Sequence, residues 1–332
     1  MTRKTAIPLS PWRKLLPLAL LAILPAHTFA EGRRVALVIA NSQYQQIDTL
    51  KNPLADGQAV AERLRKAGFE LLRPVRTGSD VQADLSLDEM FKADEALEQA
   101  AAGAEMVLLY YAGHGLQMEG VPYLVPVDLP VIKLTSLNTP GGQELLKRRL
   151  MELDKLIAGL DLKARVAVAV FDACREIPAF NEPSRSVFGG DASPFRGLAR
   201  PKSEGRHRLL AYSASSGQLA KDGQGKHSPY TQAWLNEFDR YAGQDITDFF
   251  NGVAAQVTDG SGQNPEVVTQ GIKPDTYYLT EAQAAPTPPP VAPRPWSAQP
   301  PAASIPAQQN HHKLEDIEPP TDPVENLLER RH

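Results

Sequence analysis

Between Arg34 and Leu279 the apolar positions fall into short unbroken runs, separated by stretches in which they recur every three or four residues. Runs apolar on both faces read as strands buried inside a sheet, and the 3.6-residue recurrence reads as amphipathic helices between them. The predicted strands are Arg34 to Ala40, Phe69 to Leu72, Met106 to Tyr111, Arg165 to Phe171 and Leu209 to Tyr212, with Thr276 to Leu279 as an edge strand. Predicted helices cover 55–67, with Val60 and Leu64 inward and Gly68 as stop, and 87–102, with Leu87, Phe91 and Leu97 as the buried stripe. A further helix is expected over 143–160 on the spacing of Leu146, Leu150, Leu153 and Ile157. Two more are expected over 229–241, capped by Ser228 with Pro229 at its first position, and over 246–257. Such alternation places the chain in the α/β class, with a mostly parallel central sheet flanked by helices.

The two ends depart from this pattern. Residues 1–30 carry a basic start (Arg3, Lys4, Arg13, Lys14), an apolar run from Leu15 to Leu24 broken at Pro17, and small Thr28 and Ala30 around Phe29. This is the pattern of an export signal cleaved after Ala30, and it predicts a periplasmic or secreted protein. The run is shorter than the ~20 residues a bilayer requires, and no later segment could cross one, so no transmembrane segment is expected. Residues 281–332 turn abruptly to Ala, Pro and Gln, a composition that cannot bury enough apolar surface to order itself, and read as a disordered tail. His311 and His312 belong to that solvated tail. The folded core should therefore occupy 31–280, interrupted at 175–206 by a surface loop rich in Pro, Ser, Gly and Arg.

Charge removes one class of partner. With 35 Lys and Arg against 39 Asp and Glu, net −4, there is no basic patch to neutralise phosphates, so no nucleic acid is expected. Cysteine adds a class instead. The chain has 1 cysteine, Cys174, so no disulfide can form within it, and a lone thiol in an exported protein is either paired between chains or reactive.

Two predicted strands end in small residues around a reactive side chain: Tyr110-Tyr111-Ala112-Gly113-His114-Gly115 and Phe171-Asp172-Ala173-Cys174-Arg175. Functional groups of an open parallel sheet gather at the carboxyl ends of its strands. A thiolate is the nucleophile, and a neighbouring imidazole can lower the thiol's pKa, accept its proton and return it to a leaving amine. Gly113 and Gly115 leave the backbone beside His114 unshielded, so that an N–H there can face a developing oxyanion.

Taken with Leu50-Lys51-Asn52-Pro53-Leu54-Ala55-Asp56, Tyr212-Ser213-Ala214-Ser215-Ser216-Gly217, Asp222-Gly223 and His227-Ser228-Pro229-Tyr230, these motifs resemble the caspase-like cysteine peptidases, specifically their bacterial metacaspase-type members. The resemblance covers about residues 34–279 and implies the caspase-like fold, with a large-subunit-like part near 33–180 and a small-subunit-like part near 207–280. It implies a His114/Cys174 dyad without a third catalytic residue, and an oxyanion hole of the Gly115 and Cys174 N–H groups. Asp172 and Asp56 would line the primary specificity pocket; two carboxylates favour a cationic side chain, which implies cleavage of proteins or peptides after Arg or Lys. Ala112 stands where the family commonly has Ser, which leaves the preference between Arg and Lys open. No cofactor is implied. Calcium activation is a property of some family members, and the sequence carries no EF-hand loop. Arg185, Arg196, Arg200, Lys202 and Arg206 in the expected loop would offer the enzyme its own preferred residues. Tyr44 reads as packing, Asp222 as bordering the pocket, and His207 and His227 as surface residues without a role. The alternative is a catalytically idle caspase-like domain that only binds; a nucleotide-binding reading lacks the Gly-rich turn, since Ala40-Asn41-Ser42 follows the first strand.

Overall fold

The computed structural model describes residues 32–130, 139–173, 198–199, 206–215, 218, 220, 222–241, 243–274 and 276–280. The chain divides into 1–285 and 286–332, and the second unit lies wholly outside the described residues. So do the expected export signal, Cys174 and nearly all of the expected loop at 175–206.

The first strand, β1 (Arg34–Ala40), is followed by α1 (Pro53–Lys66), where Pro53 supplies a preset first turn and Gly68, at φ +84°, ends the helix in a conformation other residues resist. Short strands β2 (Glu70–Leu71) and β3 (Val81–Ala83) both pair with β1. Next comes α2 (Leu87–Ala101), opened by a capping box in which Ser86 and Glu89 satisfy each other's backbone N–H. Its buried residues are Met90, Ala93, Leu97 and Ala101, whereas Phe91 is 52% exposed. Of the expected stripe of Leu87, Phe91 and Leu97, only Leu97 is buried, because Met90 and small Ala93 and Ala101 complete the inward face and apolarity alone does not mark the alanines.

Strand β4 (Met106–Ala112) then leads into a hairpin of β5 (Gly115–Met118) and β6 (Val121–Leu124). Glu119 and Gly120 join these two with positive φ, 52° and 73°, the geometry of a tight two-residue hairpin turn. The helix expected over 143–160 is two helices, α3 (Pro140–Lys147) and α4 (Leu153–Ala158), separated by β7 (Met151–Glu152). The apolar spacing was sound, since Leu146, Leu150, Leu153 and Ile157 are all buried, but pairing of Met151 with Leu124 and Glu152 with Tyr123 draws the middle into a small antiparallel sheet.

Strands β8 (Val166–Asp172) and β9 (Arg208–Tyr212), helices α5 (Pro229–Tyr241) and α6 (Ile246–Ser261), and β10 (Glu266–Gln270) complete the fold. The main sheet runs β10-β9-β8-β4-β1-β2, with β3 also on β1, and every pair is parallel except β9 with β10. The edge strand is thus Glu266–Gln270, not Thr276 to Leu279, whose Tyr278 makes only an isolated bridge to Asp245. Side chains alternate between two cores. Ala36, Val38, Tyr110 and Val168 pack under α1, α5 and α6, while Val35, Leu37, Leu109 and Phe171 pack under α2 and α4. This is the α/β arrangement expected from the sequence, and it brings the carboxyl ends of β1, β4, β8 and β9 to one edge. No helix among the described residues is long and apolar enough to cross a membrane.

Candidate active site

Strands β4 and β8 lie side by side with Ala112 opposite Asp172, so the chain leaves both at the same level. From β4 it passes through Gly113 and His114 into β5. His114 is 1% exposed, and its Nε2 lies 2.8 Å from the carbonyl oxygen of Asp48. A carbonyl can only accept, so in the neutral imidazole the hydrogen sits on Nε2 and Nδ1 carries the lone pair. The sequence offered no side chain to orient His114, and a backbone carbonyl does so instead, a group that no residue type advertises.

Two tyrosines hold the His114 backbone. The Tyr44 hydroxyl accepts from its N–H at 2.7 Å, and the Tyr111 hydroxyl donates to its carbonyl at 2.8 Å and to that of Val125 at 3.1 Å. The Tyr44 ring also lies 4.6 Å from the imidazole, tilted by 57°. Tyr44 is therefore more than packing. A Cβ on Gly113 would come within 2.7 Å of both hydroxyls, so this glycine is required by close approach.

The two glycine N–H groups differ. That of Gly113 is directed at the carbonyl of Asp172, 3.4 Å away, which removes it as an oxyanion donor. Gly115 faces Leu124 across the hairpin, and Val125 N–H donates to His114 C=O at 3.1 Å. In an antiparallel ladder this makes Gly115 and Leu124 a non-hydrogen-bonded pair, so the Gly115 N–H points away from β6. Leu198 covers Gly115, with a Cβ there only 3.1 Å from it.

Asp56 and Asp172 are both fully buried and are brought together by one residue. Ser228 donates its N–H to Asp56 Oδ1 at 3.2 Å and its hydroxyl to Asp172 Oδ2. The Thr231 hydroxyl also donates to Asp172 Oδ2 at 2.8 Å, and Thr231 N–H donates to Ser228 Oγ at 2.9 Å, the expected helix cap of α5. Asp172 thus sits at the N-terminus of α5, where the helix field favours an anion. Burial, and then the charge of Asp172, pushes the neighbouring Tyr230 phenol above its usual range. Asp56 takes a second donor, His227 Nδ1, at 2.8 Å. The role of His227 was missed in the sequence, where a histidine between Lys226 and Ser228 looks like any loop residue.

Asp222 does border this region. Its carboxylate accepts from Lys51 N–H at 3.0 Å, and its carbonyl accepts from the Asn52 side chain. The stretch 48–56 therefore touches the imidazole at one end, Asp222 in its middle, and His227 and Ser228 at its other end. Among the described residues no three His, Cys, Asp or Glu side chains converge as a metal site would.

A family model described as the caspase domain, of peptidase family C14, matches residues 33–277. The chain belongs to the caspase-domain peptidase family. It is also 38% identical over 98 residues to the mucosa-associated lymphoid tissue lymphoma translocation protein 1 of Homo sapiens, and equally to its homolog of Mus musculus. That stretch is 29% of this chain and 11% of either relative, so the chain spans only a small part of their length.

Proposed function

We propose that this caspase-domain protein is a cysteine endopeptidase that uses His114 and Cys174 and cleaves after Arg or Lys. The observation that carries the reading is the pairing of Ala112 with Asp172, because His114 and Cys174 each follow two residues beyond that matched pair. His114 Nδ1 accepts the Cys174 proton, and the thiolate attacks the scissile carbonyl carbon. The carbonyl's electron pair becomes an oxyanion facing the N–H groups of Gly115 and Cys174. As the tetrahedral species collapses, the C–N bond breaks and the imidazolium returns its proton to the leaving amine. Water, deprotonated by the same imidazole, then releases the acyl group from sulfur. Asp56 and Asp172, bridged by Ser228, are the carboxylates that favour a cationic side chain.

The test is hydrolysis of fluorogenic peptides carrying Arg, Lys or Asp before the scissile bond, beside Cys174→Ala. Cleavage after Arg or Lys that is lost in the variant supports the reading. Cleavage after Asp alone overturns the acidic-pocket assignment, and no cleavage of any peptide favours an idle binding domain. Self-cleavage within 175–206 belongs to the same proposal: fragments should accumulate in purified protein and be absent from Cys174→Ala. Export belongs to it as well, and N-terminal sequencing of the mature protein should begin at Glu31.

A further inference from the structure

The acidic pocket is covered by the protein's own segment 222–228. Ser228 is tied down at three points, through its N–H to Asp56, its hydroxyl to Asp172, and the Thr231 N–H to its oxygen. His227 reaches Asp56 through a single ring nitrogen at 2.8 Å, and its side chain is 9% exposed. It opens on a groove of about 530 Å³ between α1 and α5, so it stands between Asp56 and solvent. The segment that carries it includes Gly223, at φ +81°, and Gly225, and lies outside the helix beginning at Pro229. A guanidinium seeking a carboxylate requires two oxygens in one plane, and His227 Nδ1 already holds one of those of Asp56.

We propose that His227 is a specificity-determining residue of this site: its imidazole occupies the Asp56 carboxylate in place of a substrate's basic side chain, and substrate binds by displacing it. The proposal rests on the reading of Asp56 and Asp172 as the substrate pocket. A neutral imidazole offers one hydrogen bond and is readily exchanged for a substrate cation. A charged imidazole forms an ion pair with Asp56 and repels the incoming charge, so acidification strengthens the internal occupant against the substrate.

The groups that face His227 set where this occurs. Asp56 and Arg63 approach from α1, together with Glu62; Lys226 precedes it in its own segment; and Asp239 lines the groove from α5, paired with Arg63 at 3.0 Å. Burial, followed by the charges of Lys226 and Arg63, holds the imidazole below its ordinary range. The neutral imidazole is therefore favoured, and charging it takes more acidic solution than an ordinary histidine needs.

The experiment measures KM and kcat for an Arg-containing fluorogenic peptide between about pH 5 and 8, in the full chain and in His227→Gln and His227→Ala. Gln can donate one amide hydrogen to Asp56 and never charges. In the unsubstituted protein KM should rise as pH falls below the imidazole range, by up to about tenfold per pH unit where the charged form excludes substrate. In His227→Gln KM should stay level over the same range, while the pH dependence of kcat is shared by all three proteins. His227→Ala should have a lower KM throughout, and a matched thermal unfolding midpoint establishes that either variant is folded. Parallel rises of KM in the unsubstituted and Gln proteins overturn the proposal while leaving the peptidase reading intact. No hydrolysis of basic peptides by the unsubstituted protein overturns both.

Discussion

Tyr44 holds the backbone of His114, so any effect it has on the proposed dyad runs through that contact. Its hydroxyl is the acceptor for the His114 N–H, and Tyr44→Phe removes that acceptor from a buried donor, an effect of about 1–3 kcal/mol. Because Tyr44 acts on the orientation of the imidazole and not on the carboxylates, the variant should lower kcat with little change in KM. An unchanged kcat would make Tyr44 a packing residue after all. Asp172→Asn should show the opposite division, raising KM for Arg and Lys peptides by about 2–5 kcal/mol of lost binding while peptides with neutral residues are less affected. The residues of the candidate site were unequally visible in the sequence. His114 and Cys174 stood out because each reactive side chain follows a predicted strand end, whereas Asp172 and Asp56 came from the family resemblance alone. The Asp48 carbonyl, the Ser228 bridge and the His227 contact did not, because they depend on chain segments 56 to 172 residues apart in sequence meeting in space.

At the scale of elements, legibility followed burial. Strand β1 and helix α5 match their expected bounds because unbroken apolar runs and a Ser-Pro start are local signals. The missed pieces, β3, β5, β6, β7 and β10, are short, and their pairing partners decide their state; Pro122, for example, is tolerated in β6 because it faces Gln117 at a non-hydrogen-bonded position. The phase of α2 makes a direct comparison possible. Phe91→Lys should change stability by no more than about 0.5 kcal/mol, since the ring is exposed, whereas Met90→Ala should cost about 2–5 kcal/mol. Chemical denaturation of the two variants distinguishes the observed phase from the one the apolar pattern suggests.

For the molecule as a whole, acid–base balance is set away from the site. Burial, and then the charge of Glu98, pushes the Asp94 carboxyl up to about 7, and Asp94 Oδ1 is buried without a hydrogen-bond partner among the described residues. The folded state therefore holds this proton more tightly than the unfolded chain does. Its contribution is favourable below the ordinary carboxylate range and is lost as pH rises toward 7. Asp94→Asn should accordingly raise Tm at about pH 8 and have little effect at about pH 4. Glu89 is the counterpart: the hydrogen bonds from Arg76, followed by those from Ser86, bring it down to about 2, so its stabilisation is present above the ordinary carboxylate range and fades as pH falls toward 2.

The nine-residue reach from Asp48 to Asp56 has a practical corollary for anyone redesigning this scaffold. A single inserted residue there would shift the seating of His114 and of the Asp56 carboxylate together, since the same stretch is fastened to both. Specificity cannot be transplanted by exchanging 222–228 alone, because the incoming segment would meet a mismatched Lys51, Asn52 and Asp56. The two stretches are a lock and its strike plate, and would have to be grafted as a pair.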